Sequence, residues 1–369
     1  MKIKTLTTYD VYNYGASLQA YALQAYLTQR GHDVEIINFQ PKYLTHKYDY
    51  YWVNPESRMS RYTLTRFMYR IAKWMQRQTT LSRKRQFDYF NHYVLRETQQ
   101  VYYTYEELCE NPPQADLYIV GSDQIWNVFY ETGRDRSFYL DFVKEGRKAS
   151  YAASFSYLNI PNDEMERIKV SLMTFCGVAV REYHGLDILK KMGIVGDWVL
   201  DPVFLLSLEE WKCLMKPMVG QERYLLIYDF EGNNELKVFA REYAKKLGLK
   251  IYAIVDTYPL RYADKNFTNV GPVDFVTMIY HCNAFVSNSF HGTAFSIIFQ
   301  KPVFVFNRHR HKVNSRMESL LHLFELDDCL IETPMQAKAA LMKQFDYEYI
   351  NKIRLREIEK STQYLDKLL

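Results

Sequence analysis

The amino-acid sequence predicts an α/β protein made of two parallel-sheet domains, and three observations carry the prediction. The chain has 369 residues, more than one hydrophobic core usually serves and enough for each of two halves to bury its own. Short β-branched or apolar runs alternate with stretches of helical length, the order expected of a mostly parallel sheet covered by helices on both faces. The alternation occurs twice, broken over residues 201–222 by an irregular stretch that holds Pro202, Pro217 and Gly220.

Taken in order, residues 3–6 read as the first strand. The loop 7–16 then leads through Asn13-Tyr14-Gly15 into a helix with Ser17 as its cap and Leu18, Ala22, Leu23 and Tyr26 on its inner face. Residues 34–39 form the second strand, after which the pattern breaks over about 41–113 in a Tyr- and Arg-rich segment that reads as a helical insertion. Strands resume at 117–120, 149–153, 178–181 and 198–200, with a helix near 163–175. The second series places strands at 224–228, 250–255, 268–270, 284–287 and 303–306. Its helices fall near 233–247, 273–281 and 293–299, and the tail from 347 is helical. The expected organisation is an N-terminal domain over 1–210, a C-terminal domain over 211–345 and a closing helix over 346–369, two Rossmann-like domains facing a cleft.

The stretch from Asn283 to Phe306 holds strand, turn, helix and strand in order, with Pro302 stopping the helix. Its turn, Ser289-Phe290-His291-Gly292, falls at the carboxyl end of a strand and at a helix N-terminus, where free N–H groups favour an anion. His291 there could trade protons with an anionic substrate. Equally, Ser289 could cap the helix, Gly292 make the turn and His291 serve as a buried hydrogen-bonder.

Hydrophobic residues at 48% and charged residues at 24% describe an ordinary globular protein. Its 32 tyrosines suit amphipathic ligands such as sugars, and serve equally well as core and strand material. The net charge of +4 is concentrated in Arg58, Arg61, Arg66, Arg70, Lys73, Arg77, Arg83, Lys84 and Arg85, a window without Asp or Glu. Without these nine the chain is acidic, which argues against nucleic acid as a partner. Cys109, Cys176, Cys213, Cys282 and Cys329 form no CxxC pair and read as reduced, buried thiols. The opening MKIKTLTTYD lacks an apolar signal-peptide core, and no run approaches membrane-spanning length, so a cytoplasmic protein is expected. His309-Arg310-His311 lacks a third ligand, so no metal is expected, and no GxGxxG or P-loop follows the first strand.

Several blocks then occur in one order: Asn13-Tyr14-Gly15 with Leu18-Gln19-Ala20-Tyr21-Ala22-Leu23, Gly121-Ser122-Asp123-Gln124-Ile125-Trp126-Asn127, Tyr151-Ala152-Ala153-Ser154, Val180-Arg181-Glu182, Asp201-Pro202-Val203-Phe204-Leu205, and Ser287 to Pro302. This ordered set resembles the polysaccharide pyruvyl transferase family. The resemblance implies a fold similar to GT-B glycosyltransferases and transfer of the enolpyruvyl unit of phosphoenolpyruvate to a sugar hydroxyl, as a pyruvate ketal, in cell-surface polysaccharide synthesis. Phosphoenolpyruvate enters as co-substrate, with no cofactor, and the acceptor sugar can be free or lipid-linked. The N-terminal domain would be the acceptor side and the C-terminal domain the donor side. By this resemblance His291 is the general acid/base and Arg181 holds the donor's anionic groups, the alternative for Arg181 being a salt bridge. Ser289, Gly292, Thr293 and Arg316 would meet the donor. Asn13, Gly15, Asp123, Gln124 and Trp126 would meet the acceptor, Trp126 as a stacking platform or else a buried structural residue. Ketal-forming members often carry an arginine where this chain has Ser289, and Arg316 could supply that charge or lie on the surface. Rival readings are a GT-B glycosyltransferase using a nucleotide sugar and a non-catalytic sugar-binding protein.

Within the basic window, Leu64, Phe67, Met68, Ile71, Trp74 and Met75 recur at helical spacing, and Arg66, Arg70, Lys73 and Arg77 recur on another side. Such a stripe commonly packs on its own domain. Trp with flanking Arg and Lys is also the composition of a helix lying on the inner membrane face.

Overall fold

A computed structural model describes residues 1–45, 49, 51, 53, 57–78, 80–217, 222–256, 258–308 and 314–369, without the side chains of 76 and 77. Gly220 and the His309-Arg310-His311 motif lie outside the described residues.

Two parallel sheets form the frame. In the first, β1 (Lys2–Leu6), β2 (Asp33–Phe39), β3 (Glu97–Tyr102), β4 (Leu117–Val120) and β5 (Arg147–Ser150) run in the order β3-β2-β1-β4-β5. The pair β6 (Ala179–Val180) and β7 (Asp197–Trp198) extends it through bridges from Ala149 to Gly177 and from Ala153 to Val180. In the second, β8 (Tyr224–Tyr228), β9 (Lys250–Ile254), β10 (Lys265–Phe267), β11 (Ala284–Ser287), β12 (Val303–Phe306) and β13 (Leu330–Ile331) run in the order β10-β9-β8-β11-β12-β13. Every residue of β4, β8, β11 and β12 is buried, as expected where helices cover both faces.

The helices of the first half are α1 (Tyr14–Gln29), α2 (Lys42–Thr45), α3 (Thr63–Gln78), α4 (Leu81–Tyr89), α5 (Tyr105–Glu110), α6 (Asn162–Leu172), α7 (Tyr183–Lys191) and α8 (Leu208–Leu214). Those of the second are α9 (Asn234–Leu247), α10 (Pro272–His281), α11 (Phe290–Ile298), α12 (Ser315–Leu323), α13 (Pro334–Ala340) and α14 (Tyr347–Leu368). The last of these returns to the first sheet. Tyr364 donates to Ser150 O (2.8 Å), and the Leu200 amide donates to Ser361 Oγ (2.9 Å).

Five expectations are corrected. The segment read as a helical insertion contains β3, which pairs with β2 at the sheet edge. The third strand of the second series falls at 265–267 instead of 268–270. The helix expected to be capped by Ser17 begins at Tyr14 with Asn13 as its cap. Finally, Cys176 and Cys213 are exposed, whereas Cys282 and Cys329 are buried. The apolar stripe of α3 is exposed rather than packed on its own domain.

The two sheets are held together by aromatic rings. Tyr14 stacks on Phe275 (centroids 4.5 Å apart) and meets Tyr228 edge-on (5.4 Å), and Trp211 packs between Tyr21 and Phe295. Arg83, one of the nine cations of the basic window, is 1% exposed. It bonds Tyr14 Oη (3.2 Å) and Tyr12 O (3.1 Å) and pairs with Asp256 across the junction (3.1 Å). A buried cation can persist only with such partners.

Candidate active site

In each sheet the strand order reverses once, between β1 and β4 and between β8 and β11. Ligands of open parallel sheets collect outside the strand ends at such points. Here the two points face each other across one cleft of about 60 Å³. Asn13 reaches it from the β1 loop, Asp123 and Gln124 from the β4 loop, Phe230 from β8, Asn288 and Ser289 from β11, and Arg308 from β12. His291 and Phe290 on α11 and Arg316 on α12 complete the lining.

The turn before α11 is built by short-range bonds. Ser289 Oγ accepts from the Gly292 amide (3.3 Å), and Thr293 Oγ1 donates to Ser289 O (2.9 Å). Gly292 lies so close to Phe285 that a Cβ would come within 2.5 Å of its ring. Gly292 and Thr293 therefore shape the turn and do not line the cleft. The Phe290 and His291 amides, in the first helical turn, have no bonding partner among the described residues. Those two N–H groups are the anion-binding feature of a helix N-terminus.

His291 is set by neighbours from both sheets. Its Nε2 lies 3.5 Å from Asp201 Oδ2, which also takes Arg181 Nη1 at 2.8 Å and Ser122 Oγ at 2.9 Å. On its other edge the ring abuts the backbone of Gly15, where a Cβ would fall 1.9 Å from Nδ1. Gly15 is thus required for close approach of α1 to the ring, not for contact with an acceptor sugar. Gly15→Ala should displace the ring and lower kcat by about 10²-fold, the typical cost of misplacing a catalytic group by about 1 Å. The methyl group also overpacks a buried junction, at a cost of about 1–3 kcal/mol, so the melting temperature should fall by a few degrees. A kcat equal to wild type would show that the ring's position is immaterial.

Arg181 does not reach the cleft as a free cation. It is 5% exposed and held between Asp201 and Asp123 (3.4 Å) over the Phe290 ring (4.5 Å). The salt-bridge alternative describes it. Burial disfavours its charge, but Asp201 and Asp123 more than offset this and raise it. Trp126 is also corrected. It is 0% exposed, stacked near Tyr139 and Phe155, with Nε1 donating to Phe138 O (2.9 Å), so no face is open to a sugar.

Arg316 is the cation without a carboxylate. It is 7% exposed, and no Asp or Glu lies within ion-pair distance among the described residues. With its amide oriented to donate to Ser156 Oγ (3.0 Å), Gln124 accepts from Arg316 Nη1 (3.1 Å) and Nη2 (3.2 Å), while Nε has no partner among the described residues. Burial, and then the neighbouring Arg181, lower this guanidinium to about 10. A ligand anion would reverse that penalty. Arg308, which the sequence pattern did not single out, sits over Phe230 (4.8 Å) with Glu231 3.5 Å away. Its position just past β12 is the signal that could have found it. Asp123 (φ 72°) and Ser156 (φ 64°) hold left-handed backbone, a strain of about 1–3 kcal/mol each that is typical of functional sites.

Fold and cleft together define a two-domain α/β protein of GT-B type, with a histidine and an uncompensated arginine beside a helix N-terminus. The model of the polysaccharide pyruvyl transferase family matches residues 13–310, and the chain belongs to that family. Among solved structures it is similar to the UDP-GlcNAc 2-epimerase from Neisseria meningitidis bound to UDP-GlcNAc, at 12% identity over 100% of both chains and a TM-score of 0.50. It is also similar to the UDP-GlcNAc 2-epimerase from Methanocaldococcus jannaschii, at 12% identity over 96% of this chain and 99% of that one, with a TM-score of 0.50. At this identity the likeness is one of fold. Among curated proteins none matches the chain significantly.

Proposed function

We propose that the protein transfers the enolpyruvyl unit of phosphoenolpyruvate onto sugar hydroxyls, forming a pyruvate ketal in cell-surface polysaccharide synthesis. The observation that carries this is the grouping of His291, uncompensated Arg316 and the free α11 amides in one small cleft. The donor bears a carboxylate and a phosphate, which need two cationic or N–H-rich contacts. Arg316 and Arg308 flank the turn and supply charge where the family often has an arginine in place of Ser289. The cleft is lined by Arg308, Arg316 and the first turn of α11, which suits a small donor with two anionic groups.

In the reaction His291 gives a proton to donor C3, turning the methylene into a methyl group while C2 becomes electrophilic. A sugar hydroxyl attacks C2 and returns its proton to the ring, so the histidine ends as it began. A second hydroxyl of the same sugar then displaces phosphate, which leaves with that hydroxyl's proton. Asp201 faces the ring, 3.5 Å from its Nε2, and Arg181, locked to Asp201, acts as a positioning residue. Asn13, Asp123 and Gln124 face the donor turn from the first sheet and are the acceptor contacts. With Trp126 buried, the aromatic side chains that line the cleft beside them are Phe230 and Phe290.

Incubation with phosphoenolpyruvate and a panel of galactose- and mannose-type acceptors should release phosphate with a pyruvyl-sized mass gain. Consumption of a nucleotide sugar instead would establish the glycosyltransferase reading. Arg316→Gln should weaken phosphoenolpyruvate binding about 10- to 100-fold, the loss of one charge-assisted contact of roughly 1.5–3 kcal/mol. Calorimetry that gives an unchanged Kd would remove Arg316 from the donor site.

A further inference from the structure

Residues 63–78 form a helix, α3, whose apolar side is left exposed among the described residues. Leu64 (68% exposed), Phe67 (59%), Met68 (62%), Ile71 (44%), Trp74 (52%) and Met75 (61%) form one continuous exposed stripe. Isolated exposed apolar residues are ordinary, but a full helical stripe marks a surface that meets another apolar phase.

The charges beside the stripe identify that phase. No Asp or Glu occurs from residue 57 to residue 87. Arg66 bonds Ser60 O (2.7 Å) and Arg70 bonds Tyr51 O (3.1 Å), both carbonyls, so their positive charges stay uncompensated among the described residues. Arg58 and Arg61 lie in and at the end of the short 3-10 turn (Arg58–Ser60) that precedes α3. Lys73 is drawn inward to Asp49 O (2.6 Å) and does not belong to the exposed flank. A second copy of this chain would bring two cationic flanks together, and an uncharged apolar partner would leave them unused. A surface that offers hydrocarbon and negative charge together satisfies both.

We propose that α3 is an interfacial helix that docks the protein reversibly on an anionic lipid bilayer, its stripe in the headgroup boundary and Arg66 and Arg70 at lipid phosphates. Among the described residues no helix is long and apolar enough to cross a membrane, and docking requires none. The chain continues from α3 into α4, where Arg83 bonds the backbone and hydroxyl of the tyrosines flanking Asn13. The docking helix is therefore joined to the acceptor wall of the cleft, as a lipid-linked acceptor would need. The docking itself stands independently of the reaction proposed above.

The test is co-sedimentation of the full chain with vesicles of phosphatidylglycerol and phosphatidylcholine, against phosphatidylcholine alone. The protein should pellet with the anionic vesicles at low salt and be released at high salt. Arg66→Gln with Arg70→Gln should weaken this about 30-fold, two cations at about fivefold each. Phe67→Glu should abolish it, and Trp74 fluorescence should shift to the blue on binding. Wild-type protein remaining in the supernatant at low salt would overturn the proposal. So would concentration-dependent dimerisation that Phe67→Glu abolishes, which would assign the stripe to a second copy.

Discussion

His291→Ala should reduce turnover by about 10²- to 10⁴-fold, the usual contribution of a positioned general acid/base. The circular dichroism spectrum should match wild type, because the α11 turn is held by Ser289, Gly292 and Thr293 without the imidazole. Phosphoenolpyruvate should still bind, since Arg316 and the helix amides remain. Rates are measured by phosphate release and binding by calorimetry. Turnover equal to wild type would remove His291 from the chemistry.

Arg181→Ala should act differently, by unfolding the site. Its guanidinium balances Asp201, whose side chain is 0% exposed, so truncation leaves a buried carboxylate with His291, the Ser122 hydroxyl and the Val203 amide as neighbours but without its buried arginine. Breaking a buried pair in this way costs about 3–5 kcal/mol, which for a protein of this size lowers Tm by about 10 °C. A variant that melts like wild type but binds phosphoenolpyruvate weakly would restore Arg181 to direct donor contact. The pair also has a defined pH window. Burial alone would raise the Asp201 carboxyl, but His291 and Arg181 hold it well below its ordinary 3.8. A carboxyl with a lowered folded value stabilises fully above its unfolded value and loses that contribution as pH falls through the folded one. Stability should show no loss from this pair between neutral pH and about 4, and should decline only in stronger acid.

How much of this was legible in the sequence depends on what each residue is packed against. Residues 117–120, 224–228, 284–287 and 303–306 announce themselves, because a strand buried on both faces must be apolar throughout. β3, with the sequence ETQQVY, shows neither a continuous run nor strict alternation, since an edge strand has only one side to satisfy. The turn before α11 was readable because Ser, His and Gly at a strand-to-helix junction have distinct local roles. Arg83, Arg181 and Trp126 were not. Whether a cation or an indole faces solvent, a ligand or a distant carboxylate is decided by partners such as Asp256, Asp201 and Phe155, far away in sequence or on another element. The α3 stripe shows the same limit in reverse: its period was plain, but only the fold shows that it stays exposed among the described residues.

The central claim is that the cleft between the two switch points is a phosphoenolpyruvate site. A crystal structure of the protein soaked with phosphoenolpyruvate tests it most directly. The donor's anionic groups should lie against the Phe290 and His291 amides and Arg316, with C3 turned toward the His291 ring. Phosphoenolpyruvate bound away from these groups, or a cleft that takes a nucleotide sugar and excludes phosphoenolpyruvate, would contradict it.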